Sequence, residues 1–176
     1  MRKYLIAAIF LFFGVFAMSQ DSLYFVFLNT NPDRFVISQD SVNNLQNGHL
    51  TNIKKLHNEG KLLASGPFND GGGIFILNAS SISEVDDYLK TDPAIQANRF
   101  ILEKFPAKVK HGRICDVTDP YTIRRFAFIR LSPFPVEIDL GKSSEEIDSE
   151  HLQYWHNYND STSLLLEIEF TNNNGG

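Results

Sequence analysis

The sequence predicts an α+β domain with the ferredoxin-like split βαβ arrangement. Two observations lead to this class. Segments typical of strands and helices follow one another over residues 23–110 in the order strand, helix, strand, strand, helix, strand. The two central strands are joined by a short connection rich in glycine, which suits an antiparallel pair. This order is the ferredoxin-like split βαβ arrangement.

The first strand and the first helix follow from their apolar patterns. Residues 23–28 form a continuous aromatic and aliphatic run between polar turn residues, which predicts a buried strand. Gly48 weakens the helix that follows, and Gly60 is expected to end it. Apolar positions recur every three or four residues along one face of this helix. They are Val42, Leu45, Ile53 and Leu56, with His49 among them.

Two short apolar runs predict the central strands, and a capping pattern predicts the next helix. The runs cover residues 61–65 and 74–77, on either side of the glycine-rich connection. Ser81 and Glu84 form a capping box that opens a helix ending near Leu89.

The last predicted elements are a short helix and a strand. Asp92 followed by Pro93 is typical of an N-cap with proline at the first helical position. Residues 100–110 alternate in character and end in basic residues, which predicts a final strand at the edge of the sheet.

One histidine and one carboxylate are the candidate catalytic residues. His49 lies on the apolar face of the first predicted helix, and Asp70 precedes three glycines between the central strands. A carboxylate beside an imidazole fixes its tautomer and stabilises the imidazolium, so such a pair transfers protons near neutral pH. The reactions it suits are proton abstraction beside a carbonyl, isomerisation and elimination from a small oxygenated ring. In the alternative interpretation, His49 is a structural core residue and Asp70 an ordinary turn former.

The residues around Asp70 are the expected ligand-binding residues. They are Ser65, Gly66, Pro67, Gly71 and Gly72. Glycine lets a ligand approach the backbone closely, whereas Ser65 has a second interpretation as a hydroxyl in the core or at an edge of the sheet. The three glycines lack the lysine and the following helix of a phosphate-binding loop. No cofactor is therefore expected.

Composition excludes several other classes of function. Cys115 is the only cysteine, so an intramolecular disulfide and any multi-cysteine metal site are excluded. His49 and His57 lack the spacing of four residues with which two histidines chelate a metal from one helical face, so no metal site is predicted. The net charge of −5 leaves no basic footprint for nucleic acid.

The N-terminal residues 1–19 predict a signal peptide. Arg2 and Lys3 precede an apolar run that is too short to span a bilayer, and small residues stand before Gln20. We expect cleavage before Gln20 and a secreted or periplasmic protein without membrane attachment. An uncleaved membrane anchor is the alternative.

Residues 23 to about 110 resemble the YCII-related family of the dimeric α+β barrel superfamily. The resemblance implies a four-stranded antiparallel sheet with two helices on one face, and it implies that the domain, bounded here as 20–112, pairs through its sheet with a second copy. It also implies that His49 and Asp70 correspond to the active-site pair suggested for the family. The features that match, in order, are the first strand, His49-Leu50, residues 59–62, Gly66-Pro67-Phe68, residues 70–73 and Asp92-Pro93.

The C-terminal third predicts a degenerate, partial second unit over residues 121–176, after a linker at 113–120. A shift of 102 positions aligns His49 with His151 and lays the first strand on residues 126–130, which predicts a strand there. Asn172 stands where Asp70 does, and no segment follows to complete a second sheet. Chance similarity is the alternative. The expected assembly is a homodimer or an intramolecular pseudo-dimer of the two units.

Together these features predict an exported acid/base enzyme of lyase or isomerase type acting on a small organic molecule through His49 and Asp70. The alternative is a noncatalytic module of the same fold that binds a small ligand or a protein partner.

Overall fold

The computed structural model describes residues 22–115, 125–131, 141–158 and 165–171. It confirms the α+β class. The elements in chain order are β1 (Ser22–Thr30), α1 (Gln39–Asn58), β2 (Leu62–Pro67), β3 (Gly73–Ala79), α2 (Ile82–Leu89), α3 (Pro93–Gln96), β4 (Phe100–Gly112), α4 (Ser144–Tyr158) and β5 (Leu166–Phe170).

The sheet has five strands in the order β2-β3-β1-β4-β5, and all neighbours are antiparallel. The first four have the order of the split βαβ arrangement, with β1 at the centre. The expected edge position of β4 is wrong, because β5 pairs along it from Ala107 opposite Phe170 to Gly112 opposite Leu166. A C-terminal strand thus covers the edge that would otherwise present unpaired backbone groups.

The first helix forms as its apolar pattern predicts. Ser38 caps it by accepting a hydrogen bond from the backbone N–H of Ser41. Leu56 and the polar Asn52 are its buried residues. The helix ends before Gly60, whose φ of 71° is the left-handed conformation that glycine adopts at such ends.

One face of the sheet and the helices α1 and α2 enclose a mainly aliphatic core. β1 contributes alternate residues to it, and α2 contributes Val85 and Leu89. Ser81 caps α2 by accepting from the N–H of Glu84, but the Glu84 carboxylate accepts from Ser80 rather than completing the box at Ser81. The helices therefore lie where the pattern predicts, with a local change at one cap.

The opposite face of the sheet carries an aromatic cluster that includes Phe25, Phe27, Phe105 and Phe170. Part of residues 125–131 lies against it: the Phe128 ring is 5.9 Å from that of Phe25.

The strand predicted over residues 126–130 is not observed, since the described segment 125–131 has no strand structure. Arg130 instead crosses the face of the sheet. Its guanidinium lies 4.5 Å from the Phe27 ring centroid and 3.0 Å from a Glu103 oxygen. These side-chain contacts with β1 and β4 replace backbone pairing at an edge.

Several predictions fall on residues outside the described parts of the chain. They are the signal peptide, most of the linker at 113–120, and Asn172, so the domain bounds stay a prediction. None of the helices in the described ranges has the length and apolar character needed to cross a bilayer.

Candidate active site

A cavity of about 500 Å³ lies between α1 and the end of the sheet where β1 meets β3. His49 lines it from α1. The five predicted ligand-binding residues all line it as well: Ser65, Gly66, Pro67, Gly71 and Gly72. The helix and the glycine-rich connection therefore meet at one concave site, although a role in binding stays a prediction for each of these residues.

The His49 ring is fixed by stacking and by one short hydrogen bond. It lies nearly parallel to the Phe75 ring, with centroids 5.8 Å apart and an interplanar angle of 16°. Phe100 contacts it at the same centroid distance. Its Nδ1 atom is 2.7 Å from Oδ2 of Asp92, and 13% of the His49 side chain is exposed. A ring held in this way has little rotational freedom.

The carboxylate that contacts His49 is thus Asp92, and the pairing of His49 with Asp70 predicted from the sequence is not the one observed. Asp92 is fully buried at the N-terminus of α3. Its Oδ1 accepts from the backbone N–H groups of Ala94 at 2.9 Å and Ile95 at 3.3 Å. One oxygen therefore caps a helix while the other holds an imidazole.

The buried amide of Asn52 supports this pair from α1. Its Nδ2 lies 3.4 Å from Asp92 Oδ2, and its Oδ1 accepts from the Thr91 hydroxyl at 2.9 Å. Asn52 is one turn after His49 on the helix, so both side chains reach Asp92 from the same face. Both carboxylate oxygens of Asp92 and both polar side-chain atoms of Asn52 therefore have partners, as buried polar groups require.

The pKa of Asp92 lies below its ordinary value. Burial raises it, but the hydrogen bond and the charge of His49, with the N–H groups of Ile95 and Ala94, outweigh burial. Asp92 is therefore an ionised carboxylate at neutral pH and only accepts hydrogen bonds. It follows that His49 Nδ1 carries a proton, and that the neutral ring keeps its lone pair on Nε2.

Gly48 explains how α3 comes close enough to α1. A Cβ atom at Gly48 would lie 2.9 Å from Cγ of Pro93, so the absence of a side chain lets the proline ring rest on the helix. Pro93 follows Asp92 directly. The glycine that weakens α1 locally therefore gives Asp92 its access to His49.

Asp70 occupies a different environment. It is exposed in the turn between β2 and β3, where the Gly71 N–H donates to the Phe68 carbonyl, and it is not among the residues that line the cavity. Gly72 lies against β1, since a Cβ there would meet the Leu28 carbonyl oxygen at 2.1 Å. The glycines after Asp70 thus have a packing reason as well as a place in the cavity wall.

Asp92 and Asn52 are the residues that the sequence interpretation missed as site residues. Asp92 was recognised only as a helix cap, because an aspartate before proline has that explanation in full. The sequence does carry a signal for Asn52, because it is a polar residue on the same helical face as Ile53, Leu56 and His49. A polar side chain buried on that face needs a hydrogen-bond partner. That partner is forty residues away in the sequence.

In the described residues, no group of three or more histidine, cysteine, aspartate or glutamate side chains is placed to hold a metal ion. The second histidine of α1, His57, contacts the Leu62 carbonyl through Nδ1 at 3.2 Å. It therefore ties α1 to β2 and does not line the cavity.

Comparison with known proteins finds a family match over part of the chain. Residues 22–103 match the family model of the YCII-related domain. Among solved structures, the chain is similar to the 5-chloro-2-hydroxyhydroquinone dehydrochlorinase of Burkholderia phenoliruptrix AC1100 in complex with 2,5-dihydroxybenzoquinone. The identity is 24% and the TM-score 0.37, over 51% of this chain and 95% of that chain. No curated protein matches the chain significantly. The family predicted from the sequence is thereby confirmed, and the chain carries a YCII-related domain over residues 22–103.

Proposed function

We propose that the protein is an acid/base enzyme of lyase or isomerase type acting on a small organic molecule, with His49 as the group that moves the proton. The observation that carries the proposal is the hydrogen bond of 2.7 Å between His49 and the buried Asp92, on the wall of a cavity. A titratable group oriented by a second one at the side of a pocket is the arrangement that general acid/base catalysis needs.

The proposed step uses the ring nitrogen that Asp92 leaves free. His49 Nε2 accepts a proton from a carbon beside a carbonyl, and the electrons pass to the carbonyl oxygen as an enolate. The positive charge that forms on the ring is stabilised by Asp92, which stays ionised. Return of the proton to another carbon completes an isomerisation, whereas departure of a leaving group from the neighbouring carbon completes an elimination.

Asp92 has the positioning role in this scheme, and Asn52 restricts its rotation. The catalytic role predicted for Asp70 from the sequence is not part of this scheme, and substitution of Asp70 tests it. Its exposed turn borders the cavity through Gly71 and Gly72.

A noncatalytic ligand-binding module is the second candidate, and one observation favours it. Asp92 caps α3 and His49 stacks on Phe75 in the core, so the pair has a structural use even without chemistry. In that function His49 positions a ligand without exchanging a proton with it.

Proton exchange in D₂O separates the two candidates. A panel of small lactones and cyclic ketones is incubated with the protein, and NMR follows loss of carbon-bound protons or formation of product. His49→Gln should abolish any exchange that the protein catalyses. His57→Gln is the matched control, because it removes the other α1 histidine, which contacts a backbone carbonyl outside the cavity. Equal exchange in the His49→Gln variant and the unaltered protein would refute the acid/base role.

The proposal extends to location and assembly. Export with cleavage before Gln20 is supported by the pattern of residues 1–19, and N-terminal sequencing of the protein recovered from the periplasm or medium tests it. A pseudo-dimer within one chain is supported by β5 and residues 125–131, which contact the sheet at its β4 edge and aromatic face. Light scattering should then give the mass of one chain, whereas twice that mass would indicate the homodimer.

A further inference from the structure

We propose that the cavity beside His49 recognises the carboxylate of a small organic acid through Arg34 and Arg99. The inference deepens the proposed function, because it assigns a substrate class to the same site. Both arginines line the cavity together with His49, and neither has a role in the proton transfer described above.

Each guanidinium has donors left over for a ligand. Arg99 Nη1 donates to the Phe35 carbonyl at 2.8 Å, and Arg34 Nη1 donates to the Asn31 carbonyl at 3.4 Å. A guanidinium has five N–H donors, and each of these contacts to a described residue occupies one of them. Within the described ranges, neither arginine forms an ion pair with a carboxylate.

A buried asparagine joins the two segments that carry these arginines. Only 5% of Asn31 is exposed. Its backbone N–H donates to the Arg99 carbonyl and its side-chain Nδ2 to the Asn98 carbonyl, both at 3.0 Å. Its own carbonyl accepts from Arg34. The chain reaches Arg99 through Asn98, whose φ of 54° turns it from α3 into β4. The arginine positions are therefore set by a buried polar contact.

The charge of the cavity wall contrasts with that of the whole chain. Among the residues that the structure describes, the titratable ones that line it are Arg34, His49 and Arg99, and no aspartate or glutamate is among them. The chain as a whole has a net charge of −5. A locally positive cavity in an acidic protein selects anions by attraction at the site and by repulsion elsewhere.

The rest of the wall determines what kind of anion fits. Phe68, Phe75 and Phe100 line the cavity with aliphatic residues of α1, so an apolar body is buried there favourably. Arginine binds a carboxylate through two parallel hydrogen bonds. A small organic acid uses both features, whereas inorganic phosphate uses only the arginines. Positive charge at this position would also stabilise the enolate formed when His49 removes a proton.

Benzoate and its neutral counterpart benzamide test the inference directly. Calorimetry on the full-length protein should show benzoate binding tighter than benzamide or inorganic phosphate. In Arg34→Gln/Arg99→Gln we expect the benzoate Kd to rise about tenfold or more, since charge-assisted hydrogen bonds are lost. Arg34→Lys/Arg99→Lys should raise it by less than the glutamine variant does, because lysine keeps the charge but loses the two parallel hydrogen bonds. Lys54→Gln/Lys90→Gln removes the same charge from exposed positions outside the cavity and should leave it within about twofold.

Three results would overturn the inference. They are equal affinity for benzamide and benzoate, tighter binding of phosphate than of benzoate, and a loss of benzoate affinity in Lys54→Gln/Lys90→Gln equal to that in Arg34→Gln/Arg99→Gln. If Arg34→Gln/Arg99→Gln does not fold, the salt dependence of benzoate binding to the unaltered protein tests the inference instead. The unaltered protein should lose benzoate affinity several-fold between 20 and about 500 mM salt while benzamide is unaffected, and no such difference would count against the inference.

The same materials distinguish this inference from the proposed function. Turnover that His49→Gln abolishes and Arg34→Gln/Arg99→Gln leaves unchanged would refute carboxylate recognition and leave the acid/base function standing. If the protein binds benzoate more tightly than benzamide but shows no turnover that depends on His49, the acid/base function would be refuted and carboxylate recognition would stand.

Discussion

Two aspartates in turns of the same domain have opposite environments. Asp70 is exposed between β2 and β3, while Asp92 is fully buried between α2 and α3. Both precede a residue that breaks regular structure, Gly71 in one turn and Pro93 in the other. Their local sequence contexts thus look equally like turn formers, yet only Asp92 contacts the histidine.

The environment of each carboxylate therefore depends on which residues pack against its turn. The Asp70 turn lies against the backbone of β1 through Gly72, which leaves its side chain toward solvent. The Asp92 turn lies against α1 through Pro93 and Gly48, which encloses its side chain. A buried carboxylate must be satisfied by donors, and His49 is one of them.

The largest effect should come from Asp92→Asn. The amide oxygen can keep capping α3, but the NH₂ group then faces His49 Nδ1 and donates to it. That moves the ring proton to Nε2, so the base is lost. We expect turnover to fall by about 10²–10⁴-fold and the free energy of unfolding to fall by about 1–3 kcal/mol, measured by steady-state kinetics and urea unfolding.

Asp87→Asn is the control for that change. Asp87 is exposed on α2 and pairs with Lys90, so its replacement removes the same charge without touching the site. Normal turnover in Asp92→Asn would show that the buried pair has only a structural use.

Gly72→Ala should have the next largest effect, and it acts on the other turn. The residue has a φ of 74°, and a Cβ would lie 2.1 Å from the Leu28 carbonyl oxygen. Left-handed backbone and a forced shift of β1 together should cost about 2–4 kcal/mol of unfolding free energy. Thermal or urea unfolding measures this loss.

Gly66→Ala is the matched substitution for Gly72→Ala. Gly66 also lines the cavity, but nothing lies within 4 Å of a Cβ built there. Its unfolding free energy should stay within about 1 kcal/mol of the unaltered protein. An equal loss in both variants would mean that the glycines of this connection do not differ in packing.

Much of the fold could be predicted because its signals are local. The face of α1, the stop at Gly60 and the cap at Ser81 each depend on residues within one or two turns of the chain. The pairing of β5 with β4 and the contact of Arg130 with Glu103 depend on residues that only the folded chain brings together. The expected strand at 126–130 was wrong for that reason.

The candidate site likewise combines a residue that local sequence predicts with one that only the folded chain brings to it. His49 is on the predicted face because periodicity reports which side of a helix is buried. Its partner is 43 residues away, and the packing that joins them depends on a glycine whose local meaning is only a weaker helix. Asp92 before Pro93 has the sequence pattern of a helix cap, and that pattern does not show that the same carboxylate also contacts His49.

Acid should remove the contribution of Asp92 to stability without a substitution. The folded-state pKa of Asp92 is depressed, so its contribution to stability is complete above the unfolded-state value of about 3.9 and is lost as the pH falls through the lower folded value. Urea unfolding between pH 7 and 2.5 should show a steeper decline in the unaltered protein than in Asp92→Asn.

Glu84 provides an internal reference for that experiment. The hydrogen bonds from the Ser80 and Tyr88 hydroxyls lower its pKa to about 2, so its contribution to stability declines in both proteins as the pH falls from the unfolded-state value of about 4.3 toward 2. Identical pH profiles for the two proteins would contradict a depressed pKa at Asp92.

Asp70→Asn should have the smallest effect, and it is the sharpest test of the catalytic role predicted from the sequence. An exposed turn residue outside the cavity lining should change the unfolding free energy by no more than about 0.5 kcal/mol. Because Asp92 is the carboxylate that contacts His49, we expect turnover within about threefold of the unaltered protein in the same assay. A loss of a hundredfold or more at unchanged stability would instead mean that Asp70 reaches the ligand once it is bound, and that the site uses both aspartates.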